Sequence, residues 1–547
     1  MSLDIAWQCF LITKIQTHVT DLGQSMKRLN DLEYLKLNKL EAFWYKLRLF
    51  FCAIPAFFLS LGRKILSFFK GCGLGIKNEF VDIGTTFSRG NFAVKLSFFI
   101  FGFGNLYYGQ IMRGLFFLLF EVIFIAYMLL PSGGIYWLSK GNWFQTGKTI
   151  GTVQGGFQYD PIYDTDTWVS GDDSVKVLLY GLLTIIFIFA FIYTWRLQVK
   201  QCRICMDITA KGKKVRSGKD DMRSLLDDQF HKTLLALPVG GIAMFTVLPI
   251  IYMVLIAFTS YDAAHDGYSN LFSWVGLKHF NELFDFGQGG LGYTFGEILS
   301  WTLMWAFFAT FSNYFLGMFV AIMINKKGIV IKKFWRTVLV MTIAIPQFVS
   351  LLYVGKLFDS SGIIGKILGR IPMIANYLTS NHFISLWDSP VVAKILVIVI
   401  NIWIGIPYIM LMATGILMNI PQDLYESSRI DGASAWQQYT RITLPYMMFV
   451  MGPYLLTSFV GNLNNFNVIY LLTQGNPLNT QIGTAGGASV GHTDLLITWL
   501  FKMTLGSTES KYYMASLIGI CVFLVVAVLS LIVYNVIPST RNEEDYK

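Results

Sequence analysis

Eight apolar stretches, each about as long as a bilayer core requires, constrain this chain more than any other feature: 113–131, 175–195, 234–258, 298–324, 334–356, 391–418, 446–468 and 512–537. An α-helix rises 1.5 Å per residue, so crossing a hydrocarbon core of about 30 Å takes roughly 20 residues. Lipid offers no partner to a backbone N–H or C=O, which leaves helices and closed barrels as the only spanning structures. The stretches lack the period of two that a barrel strand needs. The expected fold is therefore all-α, a polytopic membrane bundle of about eight transmembrane helices. Composition agrees: 14% of the 547 residues are charged, where a soluble domain carries about a quarter.

A formal net charge of +10 invites a nucleic-acid reading, but the placement of the charge argues for a membrane. With the N-terminus inside, the cytoplasmic segments hold 33 Lys and Arg and the outer loops hold seven, the bias that sets orientation in membrane proteins. Both termini are then cytoplasmic. The basic inner loop 196–232 reads as an anchor to anionic lipid. Residues 1–41 are polar, with Leu29, Leu32, Leu35, Leu37 and Leu40 at helical spacing. Residues 42–70 mix aromatics with cations. Their longest apolar run, 49–62, is too short to span, so a helix lying in the membrane surface is expected there. The glycine-containing stretch 96–109 has no loop separating it from the next span, so it cannot cross by itself. No cleavable signal peptide is expected, because no continuous apolar h-region precedes residue 40. The outer loops 132–174, 359–390 and 469–511 are long enough to meet an external partner and too short to be domains.

Chemical signatures are sparse. Of six cysteines (Cys9, Cys52, Cys72, Cys202, Cys205, Cys521), only Cys202 and Cys205 form a C-x-x-C pair. One pair cannot complete a tetrahedral zinc site, so reduced thiols in a cytosolic loop are expected and no metal. The nearest approach to a nucleotide loop runs from Gly141 to Thr149. It has five residues before its Gly-Lys pair where a P-loop has four, and it lies on the outer side. The six histidines do not recur at i, i+4 around a glutamate. No catalytic residue is expected, and the chain is not an enzyme by itself. Glu121 is the one acidic residue well within a span. It is either a functional group, the default for an intramembrane charge, or a glutamate facing the bundle and hydrogen-bonded there.

The segment between spans six and seven, 420–445, reads as a helix–turn–helix on the cytoplasmic face. Pro421 opens a helix at its first turn. Gly432 breaks it, since glycine tolerates positive φ. Ser434 caps a second short helix, and Pro445 starts the next span. Such a knob suits docking into another protein's cleft; a plain interhelical loop is the alternative. These residues resemble the EAA loop of ABC importer permeases, whose pattern is E-A-A, three residues, G, nine residues, I-x-L-P. Glu426, Gly432, Ile442, Leu444 and Pro445 stand at the required spacing, with Asp431 before the glycine and Ser427 and Ser428 in place of two alanines.

The resemblance extends over about 230–540 and is greatest to the MalF-type (maltose/maltodextrin) permeases, in a Gram-positive-like version. It rests on Ser260–Asp262, Trp274–Phe280, Asn401–Tyr408, Ser458–Phe466 and His492–Leu496. One departure is large: only 259–297 fill the place of a substantial extracytoplasmic domain in the Gram-negative subunit. The resemblance implies a type I importer permease, with residues 1–112 as a cytoplasmic or interfacial region and 113–232 as a first pair of spans. The permease core then covers 233–540, its coupling loop lies at 420–445, and 541–547 form a tail. It implies a bacterial cell membrane and four kinds of partner: a homologous (MalG-like) second permease, two copies of an ABC ATPase, an extracellular sugar-binding (lipo)protein, and the oligosaccharide itself. ATP and Mg would bind the ATPases, with no cofactor on this chain. Maltose or maltodextrin is the implied cargo, with raffinose-type or glycerol-phosphate-type solutes as alternatives. A secondary transporter would need unwound or charged midplane segments and an internal repeat. A membrane glycosyltransferase would need carboxylates at the membrane edge.

Sugar hydroxyls want paired donors and acceptors, which side-chain amides supply. Ser458, Asn462 and Asn465, at i, i+4 and i+7, should share one face of span seven, and Asn401 and Gly405 one face of span six. The resemblance places these residues, Gly461 and Gln347 of span five at the sugar site. Gly461 and Ile343 stand where the family's well-studied member has an aromatic residue and a tyrosine, which predicts a wider pocket. Alternatively, the amides only glue helices together.

Overall fold

In the computed structural model the described residues are most of 77–536, with isolated positions from 41 onward. Positions 161, 163, 216–222, 224–226, 228–229, 266, 268–269, 288–289, 327–330 and 506–509 fall outside them. The expectations for 1–41, for Cys9, Cys52 and Cys72, and for nearly all of 42–70 also lie outside the described residues. The fold is an all-α membrane bundle with two small antiparallel hairpins. Among the described residues, eight helical runs are long and apolar enough to cross a membrane: Ile111–Leu129, Ser174–Ala210, Phe230–Ile256, Leu291–Asn325, Gln347–Gly369, Pro390–Leu417, Ala435–Leu463 and Tyr512–Leu531.

Three boundaries depart from expectation. Span two runs for 37 residues, about 55 Å at helical rise, so residues 196–210 of the expected inner loop are helix. Cys202 and Cys205 are accordingly buried in packed helix rather than exposed in a loop. The expected continuous span 334–356 is two helices, Lys332–Ala344 and Gln347–Phe358. Pro346 lacks an N–H and forces the preceding residue out of the helical region; Ile345 is extended, with ψ 127°. Span seven stops at Leu463, and Asn465 caps a separate helix, Phe466–Leu472.

The chain divides into two compact units, Met1–Glu121 with Ile192–Asp221, and Val122–Phe191 with Met222–Lys547. In the first unit, helix 77–89 is tied to span two by ion pairs: Arg196 meets Glu79 and Asp82, and Arg203 meets Asp82. Hydrogen bonds from Arg196 and then Arg203 hold the Asp82 carboxyl below its usual range, against the opposing effect of burial. The stretch 92–110 folds as two five-residue helices, Phe92–Leu96 and Phe103–Tyr107. Gly102 has φ +75°, and a Cβ there would lie 2.1 Å from the Gly114 carbonyl oxygen, so the approach needs glycine. Glu121 is buried, and its Oε2 accepts from the Phe101 N–H at 2.9 Å. A carboxyl in a span is costly without a donor, and this backbone group is the partner that the sequence did not name.

In the second unit, span four (Leu291–Asn325) packs along spans six and seven. Water-driven association does not operate between helices in lipid, so close approach of small residues matters. Ala306, Ala309, Gly317 and Ala321 line this seam. A Cβ on Gly317 would sit 2.5 Å from that of Ile409. Loop 132–174 is stitched to loop 259–297 through Gly147 N–H to Trp274 O (2.7 Å) and Ile150 N–H to Phe272 O (2.8 Å). The Trp274 ring, buried between them, donates to Gly141 O at 2.9 Å. The last outer loop folds around buried Asp494, which pairs with Lys502 at 2.7 Å and accepts from Gly491 N–H and Thr498 Oγ1.

Candidate coupling loop and sugar-binding cluster

The segment 420–445 folds as its local sequence dictates. Its first helix runs Gln422–Ile430, and Gly432 turns the chain at φ +76°. Ser434 caps Ala435–Gln438 through a reciprocal box with Gln437. A π-helical turn, Tyr439–Thr443, then joins the knob to Leu444–Leu463, with Pro445 in its first turn. Ser428, one of the two departures from the alanine pattern, donates to Tyr425 O and accepts from Gln438 Nε2, both at 2.9 Å. The Tyr425 hydroxyl lies 2.8 Å from Thr443 Oγ1. Ile442 and Leu444 are half-buried at the root, whereas Glu426, Ser427 and Asp431 are exposed at the tip. So are Leu424, Ile430 and Trp436, with Ile430 86% exposed. The tip of the knob therefore sets bare apolar side chains beside carboxylates.

The residues expected at a sugar site separate into two groups. The first is a polar row in which Thr310 and Asn401 are buried and Asn313, Asn462 and Asn465 are half-buried. Asn462 Nδ2 donates to Thr310 Oγ1 of span four at 3.0 Å, and Asn465 Nδ2 donates to Asn462 Oδ1 at 3.2 Å. One turn from Thr310, the Asn313 amide fills the space left by Gly405, where a Cβ would come within 2.5 Å of it. Asn401 is buried; its Nδ2 and the Asn313 Oδ1 find no partner among the described residues. A donor and an acceptor left open inside a bundle are set up for a hydroxylated ligand or for water. Asn465 joins this row by reaching back as a helix cap, not by sharing a helical face with Ser458 and Asn462.

The second group lines a cleft of about 270 Å³ formed by Thr342, Ile343, Gln347, Ser350, Trp403 and Tyr408, among others. Gln347 lies just past the Pro346 break. The Tyr408 ring lies 6.1 Å from that of Tyr454. Gly461 is exposed, with open space where a Cβ would stand. Sequence reasoning missed Thr310 and Asn313, whose signal was two polar residues three apart inside a 35-residue apolar helix. It also passed over Trp403 and Tyr408 as sugar contacts.

Residues 313–542 match the family described as Binding-protein-dependent transport system inner membrane component. The Bacillus subtilis maltodextrin transport system permease protein MdxF is 32% identical over 380 residues, 69% of this chain and 85% of that one. The Streptococcus pneumoniae maltodextrin permease MalC is 29% identical over 438 residues, covering 79% and 93%. The Bacillus subtilis galactooligosaccharides permease GanP is 30% identical over 371 residues, covering 66% and 84%. With its apolar spans, its EAA-patterned knob and these relatives, the chain belongs to the family of MalF-type sugar permeases, the multi-pass membrane subunits of ABC importers.

Proposed function

We propose that this permease carries neutral oligosaccharides of the maltodextrin type into the cell, with both termini in the cytoplasm. The observation that carries the reading is the amide row between spans four, six and seven: Asn462 linked to Thr310 and Asn465, with Asn401 and Asn313 each offering an unmatched group. An amide offers both a donor and an acceptor, as a sugar hydroxyl requires. The adjoining Trp403 and Tyr408 rings suit the C–H face of a pyranose. Gln347, Ser458 and the open space at Gly461 then shape the chain's path. The row neutralises no charge, which favours neutral over acidic sugars.

In this reading a homologous permease completes the pathway, and two ATPases hold the ATP and Mg. They dock on the knob at 420–445 and on its counterpart, and an external binding protein delivers the sugar. Closure of the ATPases moves the spans as rigid bodies between inward- and outward-facing states. A galactooligosaccharide is the second reading, supported by the similarity to GanP. Titrating the external binding protein with maltodextrins and galactooligosaccharides, then measuring uptake of whichever binds, tests both. Binding and uptake of neither would overturn the proposal.

A further inference from the structure

The first outer loop carries an antiparallel hairpin, β1 (Gly156–Asp160) and β2 (Thr165–Val169), whose register pairs Phe157 with Trp168 and Tyr159 with Asp166. Side chains alternate across a strand, so these four share one face. The Phe157 and Trp168 rings meet edge to face at 5.2 Å. Phe157, Tyr159 and Trp168 are 73%, 62% and 55% exposed. Tyr159 donates its hydroxyl to Asp164 at 2.6 Å, which holds its phenol proton above the usual pKa.

An isolated hairpin is marginal in water, yet this one stands on a fixed base. Asp172, at the end of the returning strand, pairs with Lys140 and accepts from the Thr152 and Val153 N–H groups. Ser174 binds the Ile150 carbonyl, and Ile150 is fully buried beneath Phe272 and Trp274. Anchoring at the base reduces the freedom that the hairpin's aromatic face has to lose on binding.

We infer that this hairpin face is a docking surface for the external sugar-binding protein, seated by an apolar recess with a lysine- or arginine-rich rim. The inference rests on the reading of the chain as a binding-protein-dependent permease. Three arguments select this occupant. Exposed Phe, Tyr and Trp side by side are the residue types that dominate protein interfaces. The segment between Lys148 and Lys176 has no Lys, Arg or His; of its aspartates, Asp172 and Asp173 pair with the flanking Lys140 and Lys176, while Asp164 and Asp166 stay on the hairpin, which opposes attachment to an anionic lipid surface and complements a basic partner. The rings also lie on a sheet face, whereas small-ligand sites are concave.

The test uses the complete importer, with second permease and ATPases, in lipid nanodiscs. Phe157→Ser with Trp168→Ser should leave assembly intact and raise at least tenfold the concentration of loaded binding protein that half-maximally stimulates ATP hydrolysis. Asp164→Lys with Asp166→Lys should do the same and weaken the salt dependence. Independently, a Trp168→Cys variant carrying an environment-sensitive dye should shift to the blue only when loaded binding protein is added. Unchanged stimulation in both double variants overturns the inference. A blue shift already present in the nanodisc does so too, since it assigns the face to lipid or to the second permease. No stimulation of the wild-type complex by loaded binding protein would instead count against the reading on which the inference rests.

Discussion

In the knob at 420–445 the polar contacts join near neighbours: Ser428 to Gln438, ten residues apart, and Tyr425 to Thr443, eighteen apart. In the amide row Asn462 reaches Thr310 across 152 residues, and Gly405 owes its surroundings to Asn313 on another helix. The knob is exposed and stands on glycine and capping chemistry. The row is half-buried between spans four, six and seven and exists only when they are packed. Damage to the knob should therefore be local and act on partner binding. Damage to the row should act on sugar and leave partners engaged.

The largest expected effect breaks the knob. A non-glycine residue at a left-handed position costs about 1–2 kcal/mol, and a β-branched one strains the turn further, so Gly432→Val should displace the tip. Glu426→Lys reverses an exposed charge at the tip of the knob, where a charge-assisted contact with an ATPase would be lost. Each should reduce uptake to background and lower ATPase recovery on purification of the permease, with the chain still in the membrane. Normal uptake in both variants would remove the knob from coupling.

Next comes the row. Asn462→Leu removes the bonds to Thr310 and Asn465, and Asn401→Leu removes the open donor. Interhelical hydrogen bonds in membranes average about 0.6 kcal/mol each, so the bundle should still assemble. Sugar uptake should fall tenfold or more while loaded binding protein still stimulates ATP hydrolysis. Loss of stimulation together with uptake would erase the contrast between the two regions.

A smaller effect sharpens it. Ser428→Ala restores the family's residue but removes the link to Gln438. A typical hydrogen bond contributes about 0.5–1.5 kcal/mol, and the site is partly solvated, so uptake should stay within about twofold. A loss as deep as that of Gly432→Val would show that the serine is the anchor of the two short helices.

The smallest effect comes from the outer loop, distant in sequence from both regions. Burial raises the Asp172 pKa, but Lys140 and two backbone N–H groups hold it below its ordinary value of 3.8. A depressed carboxylate contributes stability fully above its unfolded pKa and loses it as pH falls through the folded one. For Lys140, burial works against the charge, but Asp172 and Tyr136 raise its pKa above 10.5, and its contribution is lost only as pH rises beyond that. Amide exchange protection of residues 150–174 should therefore be flat between about pH 5 and 8 and fall only in strong acid. A midpoint near neutrality would mean that another group holds the loop.

The apolar runs and the EAA spacing were enough to define an all-α permease, because span length and capping each depend on neighbouring residues. The turn at Gly432 and the cap at Ser434 were legible for the same reason. Packing decided the rest. The signal for the Pro346 break lay in the sequence, but a hydropathy window averages over a proline, and the missing N–H splits the span. Asn465 kept its partner and lost its helical face, since a run of asparagines can end a helix as readily as line it. Glu121 found its donor in the Phe101 backbone, and Cys202 and Cys205 lie buried because span two continues past the bilayer. Thr310 and Asn313 joined the amide row only once span four packed against spans six and seven. Contacts between residues far apart in the chain leave no local pattern, and only the packed helices reveal them.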